Sequence, residues 1–170
     1  CGPPRLGTLT PAAGAAGDNF GRSTSLSADG STAIIGGLFD DVGSNIDQGS
    51  ARVFVWNGTM WMQRGDALTP TDGAESDNFG HSVSLSADGL TAIVGGHLDD
   101  IGSNINQGSA RVFVWNGIGW AQRGGALTPL DGAAHDNFGF SVALSADGLT
   151  AIVGGNYDTV GTNFGQGSAR

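Results

Sequence analysis

Lysine is absent from the 170-residue chain, so its seven cations are all arginine, set against sixteen carboxylates and a net charge of −9. Nucleic-acid backbones and anionic membrane surfaces are held by clustered cations. Neither is an expected partner. Cysteine is down to one, Cys1, which removes any internal disulfide and leaves the redox compartment open. A chain opening Cys1-Gly2 fits a processed lipoprotein whose first cysteine carries a lipid anchor; a cleavage boundary is the plainer reading. No run reaches the roughly 18 apolar residues of a membrane-spanning helix, so no membrane span is expected. Charged residues are only 14% against 39% hydrophobic, too little self-repulsion and too much apolar surface for a disordered chain.

What the chain has in quantity is glycine, 31 residues without a Gly-X-Y period, which reads as turn punctuation between many short strands. An internal repeat sets the rhythm. Asp18-Asn19-Phe20-Gly21 returns as Asp77-Asn78-Phe79-Gly80 and as Asp136-Asn137-Phe138-Gly139, each time after 59 residues. GSARVFVWNG, Gly49 to Gly58, recurs unchanged from Gly108 to Gly117, and the third copy reaches Gly167-Ser168-Ala169-Arg170. The organisation is an N-terminal segment, 1–4, followed by units 5–63, 64–122 and 123–170, the last truncated in its third strand.

Each unit spells four strands, here called A to D. Strand A is expected over Arg22–Ser27, closed by the tight turn Ala28-Asp29-Gly30. Strand B follows over Thr32–Gly36, and its Ala33, Ile34 and Ile35 in a row predict burial on both faces. Strand C, Ser50–Trp56, alternates Ala51, Val53 and Val55 with Arg52, Phe54 and Trp56. The Asn57-Gly58 hairpin leads through Trp61 into strand D, ending near Thr69-Pro70. An antiparallel sheet with two apolar faces needs a layer on each side, and copies of itself supply them. The fold class is therefore all-β: a β-propeller-type repeat of four-stranded antiparallel blades, about three in this chain. Residues 5–11 resemble an isolated strand D, so the expectation is either a window on a longer array or several chains covering one another's ends.

Phe20-Gly21 with Gly36-Gly37, Phe79-Gly80 with Gly95-Gly96, and Phe138-Gly139 with Gly154-Gly155 carry a resemblance to the FG-GAP repeat of integrin α-subunit propellers. The SxSLSADGxTAIxGG and VWNGxxWxQRG stretches resemble more nearly the FG-GAP repeats of secreted microbial proteins. That resemblance implies an extracellular or cell-surface module whose B–C and D–A loops form the ligand face. The integrin-type DxDxDG calcium run between strands A and B is missing.

Acids, bases and nucleophiles do not converge in the sequence. His81, His97 and His135 fall at three different repeat offsets and read as solvent-facing drift; Ser23, Ser25 and Ser27 read as a channel-side face. No catalytic motif occurs, and an enzyme is not expected. Charge placement says more. Alternate loops of an antiparallel blade fall at opposite ends, and the B–C and D–A end collects Asp18, Asp40, Asp41, Asp47, Asp72, Glu75, Asp77, Asp99, Asp100, Asp131, Asp136 and Asp158. Calcium suits such oxygen-rich loops. Its candidate ligands are Asp40, Asp41, Asn45 and Asp47, then Asp99, Asp100, Asn104 and Asn106, with Asp158 and Asn163 in a third copy where Thr159 and Gly165 replace two of the oxygens. The competing reading is that these residues make Asx turns and strand-end caps.

The other recurrent residues read as structural. Phe20, Phe79 and Phe138 should plug seams between blades; Trp56, Trp61, Trp115 and Trp120 should pack across blade faces, with a tryptophan-lined glycan site as the alternative. Arg52, Arg111 and Arg170 should pair with a recurrent carboxylate or carbonyl. The function expected from all this is noncatalytic: an extracellular binding or adhesion module offering loops 38–48, 97–107 and 156–166 to a protein or glycan. The rival is a structural protein assembling with further copies of itself into an oligomer, sheath or filament; a hydrolytic enzyme comes third.

Overall fold

The computed structural model describes residues 7–170; Cys1, with its lipid expectation, and the first residues of the strand-D-like piece lie outside the described residues. Every regular element among them is a strand. Three antiparallel sheets follow the three repeats: β1 (Phe20–Leu26), β2 (Thr32–Gly37), β3 (Ser50–Trp56) and β4 (Trp61–Gln63); then β5 (Phe79–Leu85), β6 (Thr91–Gly96), β7 (Ser109–Trp115) and β8 (Trp120–Gln122); then β9 (Phe138–Leu144), β10 (Ala151–Gly155) and β11 (Ser168–Ala169). Each sheet runs in sequence order, the meander of a propeller blade.

Strand C occupies the expected residues. Strand A starts two residues earlier than expected, because Phe20 pairs with Gly37 and Ser23 with Gly36, leaving Gly21 and Arg22 as a bulge. Strand D is shorter than expected. It pairs over Trp61–Gln63 with the Arg64 N–H donating to the Val53 carbonyl, is then interrupted, and rejoins strand C where Leu68 and Ala51 exchange both backbone hydrogen bonds.

The two faces of a blade do different work. Ile34, Ala51 and Val53 of the first blade meet Val83, Leu85, Ala92, Val94 and Phe113 of the second, with Leu68 and Phe79 closing one buried cluster. The second seam repeats the arrangement with Ile93 and Ala110 against Phe138 and Val153. Phe79 and Phe138 are buried as expected, while Phe20, with no blade on that side among the described residues, is half-buried against Phe54. Leu9, the counterpart of Leu68, covers the outer face of the first blade with Phe20 and Trp61.

The glycines of the repeat signature meet across these seams. A Cβ on Gly36 would lie 1.9 Å from the Gly80 carbonyl oxygen, and one on Gly95 would lie 2.1 Å from that of Gly139. No side chain fits there. The Phe-Gly of the second and of the third blade is thus pressed against the Gly-Gly of the blade before it. Strand A adds polar stitches: Ser23 Oγ donates to the Gly80 carbonyl at 2.7 Å, and the Leu85 amide donates to Ser25 Oγ at 3.1 Å. Ser27 instead fixes its own turn, accepting from the Thr32 amide and donating to Asp29. Ser23 and Ser25 thus bond to the next blade and Ser27 to its own turn.

Candidate functional site

The B–C and D–A loops do share one end, and hydrogen bonds tie the first and second B–C loops to the next D–A loop. The Asn45 amide donates to the Gly73 carbonyl at 2.9 Å, the Ser76 N–H to Ile46 and the Asn78 N–H to Asp47. Residue pairs 104–132, 135–105 and 137–106 repeat these bonds at the second seam. Each B–C loop is a miniature hairpin in which Val42 and Asn45, Ile101 and Asn104, or Val160 and Asn163 exchange backbone hydrogen bonds. Such loops sit on a rigid base, the usual setting of a binding surface.

An arginine sits beneath each loop. Arg52 Nη2 lies 2.7 Å from Asp40 Oδ2; Arg111 reaches Asp99 at 3.1 Å and Asp72 at 2.9 Å; Arg170 reaches Asp158 at 3.2 Å and Asp131 at 2.9 Å. Ser50, Ser109 and Ser168 donate to the same oxygens of Asp40, Asp99 and Asp158. The expected arginine partners are these carboxylates. Arg111 is almost wholly buried, so removing one partner would leave an uncompensated charge. Burial raises the pKa of Asp99 although Ser109 and Arg111 pull the other way. Asp77 is pushed up to about 6, first by burial and then by the neighbouring Asp99 and Asp100, against the Ala74 amide that donates to it.

The candidate calcium ligands take part in the loops' own hydrogen bonds, through side chain or backbone. Asp40, Asp99 and Asp158 are spent on arginine and serine. Asp41 and Asp100 accept from the backbone amides of Asp47 and Asn106, which adopt positive φ. Asn45, Asn104 and Asn163 donate to Gln48, Gln107 and Gln166. Among the described residues no three His, Cys, Asp or Glu side chains gather as a metal-holding group. The loop shape follows from the protein's own hydrogen bonds.

The histidines depart from expectation. His135 is exposed, but His81 is buried and stacks on His97 with ring centroids 4.1 Å apart, Phe140 lying 4.7 Å from His81. Arg22 Nη2 approaches His81 Nε2 at 3.3 Å. Burial, then His81 and Arg22, push His97 down to about 4, and burial and Arg22 lower His81 too. Sequence reasoning missed this pair because its members occupy different offsets; the shared offset of Arg22, His81 and Phe140 was the signal that the three line up across blades. The tryptophans form edge-on pairs at the C–D hairpins, both with centroids 5.7 Å apart. Trp120 also donates to the Arg64 carbonyl at 3.0 Å, joining consecutive repeats.

Among solved structures, the chain is similar to a chain titled Kuenenia stuttgartiensis Hydrazine Synthase, with a TM-score of 0.46 and 16% identity over 82% of this chain. The match spans 30% of that chain. No curated protein matches. The FG-GAP repeat family matches residues 5–54, 61–113 and 120–169. Each match after the first starts at the short strand D and runs through A, B and C of the next blade, one strand out of phase with the sheets. Nearly the whole chain is covered in this way, and the chain belongs to the FG-GAP repeat family.

Proposed function

We propose that this chain is a noncatalytic extracellular binding module whose B–C and D–A loops present a ligand face to a protein or glycan. The observation that carries the reading is a row of apolar loop tips at one repeat offset. Ile46 and Ile105 are each 56% exposed and Phe164 is 91% exposed, all on loops fixed from below by arginine, the first two tied also from the side to the next D–A loop. Large apolar side chains held out by rigid, acid-rimmed loops are interface material. Placement outside the cell rests on the family, whose repeats are typical of extracellular proteins. The test is binding to arrays of glycans and immobilised extracellular proteins, comparing the native chain with Ile46→Asp/Ile105→Asp/Phe164→Asp. A ligand bound by the native chain and lost by the variant supports the reading; native and variant chains that both bind nothing, or bind alike, overturn it.

One observation favours the second reading, self-assembly. Ile152 is 53% exposed, whereas Ile34 and Ile93 at the same offset are 0% exposed because the next blade covers them. A second copy offering its first-blade face, with Ala33, Ile35 and Phe54, would cover Ile152 head to tail. Light scattering after size exclusion tests this. A discrete oligomer that Ile152→Asp dissolves sustains it; a single 17.1 kDa species removes it.

A further inference from the structure

Where the second seam reaches the loop end, a cleft of about 370 Å³ opens between Leu98 and Asn106 of the second blade, His135 and Asn137 of the D–A loop, and Tyr157 and Thr159 of the third. That volume lies within the range of small-ligand sites, roughly 300–1,000 Å³. From this cleft we propose a subsite for one neutral sugar unit of a glycan, with Tyr157 as its stacking platform. The proposal rests on the binding reading above and deepens it by naming a ligand class and a place.

Three comparisons with the first seam carry the argument. The first is charge. Asp47, Glu75 and Asp100 at the first seam are replaced by Asn106, Ala134 and Thr159 at the second. The cleft lining therefore has neither a carboxylate to hold a cation nor an arginine to hold an anion. The second is free hydrogen-bonding capacity. Asn78 donates its side-chain amide to the Asp47 carbonyl at 3.2 Å, while the side chains of Asn106, Asn137 and Thr159 have no hydrogen-bond partner among the described residues. Amides and a hydroxyl of that kind both donate and accept, which is what ring hydroxyls require.

The third comparison is the aromatic wall. Tyr157, the one tyrosine of the chain, replaces Phe39 and Leu98 and is 59% exposed. Beside it Gly165 stands where the other blades have Asp47 and Asn106, and a Cβ there would already lie 3.6 Å from the ring. The glycine keeps the ring edge clear. A flat, exposed ring with an apolar body and a polar tip, facing unpartnered amides, suits a ligand with a C–H face and a rim of hydroxyls. The floor is fixed in advance: the Asn137 N–H donates to the Asn106 carbonyl at 3.2 Å and the His135 N–H to Ile105 at 2.9 Å. Preorganisation of this kind lowers the entropic cost of binding.

A single tyrosine makes the test direct, because 3-fluorotyrosine incorporation gives one fluorine resonance, at Tyr157. The full chain is titrated with glucose, galactose, mannose, N-acetylglucosamine and their β1,4-linked disaccharides. A saturable shift with at least one of them is expected. Gly165→Asn should weaken it by about tenfold or more, the usual scale for losing a key contact. That variant restores the residue of the second blade at a φ of +62° where Asn106 has 52°, so folding should be preserved, and an unchanged melting temperature checks it. Tyr157→Ala, followed by saturation transfer to the sugar, should abolish binding. No shift with any saccharide, a shift untouched by Gly165→Asn, or a response only to peptides overturns the subsite. If Tyr157 stays silent while the array ligand is still bound and still lost with the Ile46, Ile105 and Phe164 changes, the subsite alone falls and the binding module stands.

Discussion

The second and third blades are built from nearly the same words, yet they are not equally a core. Ile93 and Ile152 share an offset, a strand and a face; one is sealed by the blade that follows and the other is half open to solvent. Leu85 of the second blade is 6% exposed and Leu26 of the first is 60% exposed, because only the second has a neighbour on the relevant side. Burial in this fold therefore belongs to the seam rather than to the residue. The same separation holds for chemistry: the cleft of the second seam is lined by Asn106, Ala134 and Thr159 where the first seam has Asp47, Glu75 and Asp100, although the backbone bonds beneath are repeated almost atom for atom.

The largest test of that comparison removes the plug from a seam and from a free face. Phe79→Ala should cost about 3–5 kcal/mol, the usual cost of a cavity left by a buried aromatic, whereas Phe20→Ala should cost about 1–2 kcal/mol, the scale of partial burial alone. Denaturant unfolding of both variants decides it, and equal losses would refute the seam as the seat of burial. A smaller effect separates the second blade, which carries the stacked histidines, from the first, where Leu38 stands at the position of His97. With a folded pKa of about 4, below the ordinary histidine value of 6.5, the native state binds fewer protons at His97 than the unfolded chain does. Its stabilising contribution is complete above about pH 6.5 and drains away as pH falls through about 4. Asp77, raised to about 6, acts oppositely, gaining stability as pH falls from about 6 towards 3.8. His97→Leu should therefore make the melting temperature relatively higher in acid, removing the loss and leaving the gain. A variant with the acid profile of the native chain would show that the histidine pair does not couple to folding. The smallest effect should come from calcium. Loops of the second blade carry Asp100 and Asn106 where the third has Thr159 and Gly165, so an ion would stabilise the blades unequally; instead, calcium and chelator should leave the melting curve in place, and a shift on chelation would contradict the hydrogen-bond assignment of Asp40, Asp41, Asp99 and Asp100.

The sequence made the blade legible because alternation, Asn-Gly turns and an exact 59-residue step all pointed one way. Strand C matches residue for residue. Strand A was set late because its first pair lies beyond a bulge, and bulges leave no mark in a hydrophobic pattern when their residues are Gly21 and Arg22. Strand D was set long because Leu68 re-joins the sheet after an interruption that the apolar pattern does not register. At the loop end, repeat arithmetic pointed to a recurrent carboxylate or carbonyl for the arginines, and the structure supplies the carboxylates of Asp40, Asp99 and Asp158. That arithmetic could not find His81 with His97, whose proximity comes from two strands of one blade, nor the cleft beside Tyr157, which depends on where the repeats differ rather than where they agree.

The contact between Gly36 and Gly80, repeated by Gly95 and Gly139, has a consequence for how such a chain can change its length. Each 59-residue unit carries one half of the joint on its leading side and the other half on its trailing side, so the joint is heterologous. Duplicating or deleting a whole unit leaves every junction with a matched pair of halves and requires no compensating substitution. The protein can therefore grow or shrink by entire blades through recombination between its own repeats, while a duplication of any other length would bring a side chain onto a carbonyl where there is no room for even a methyl group.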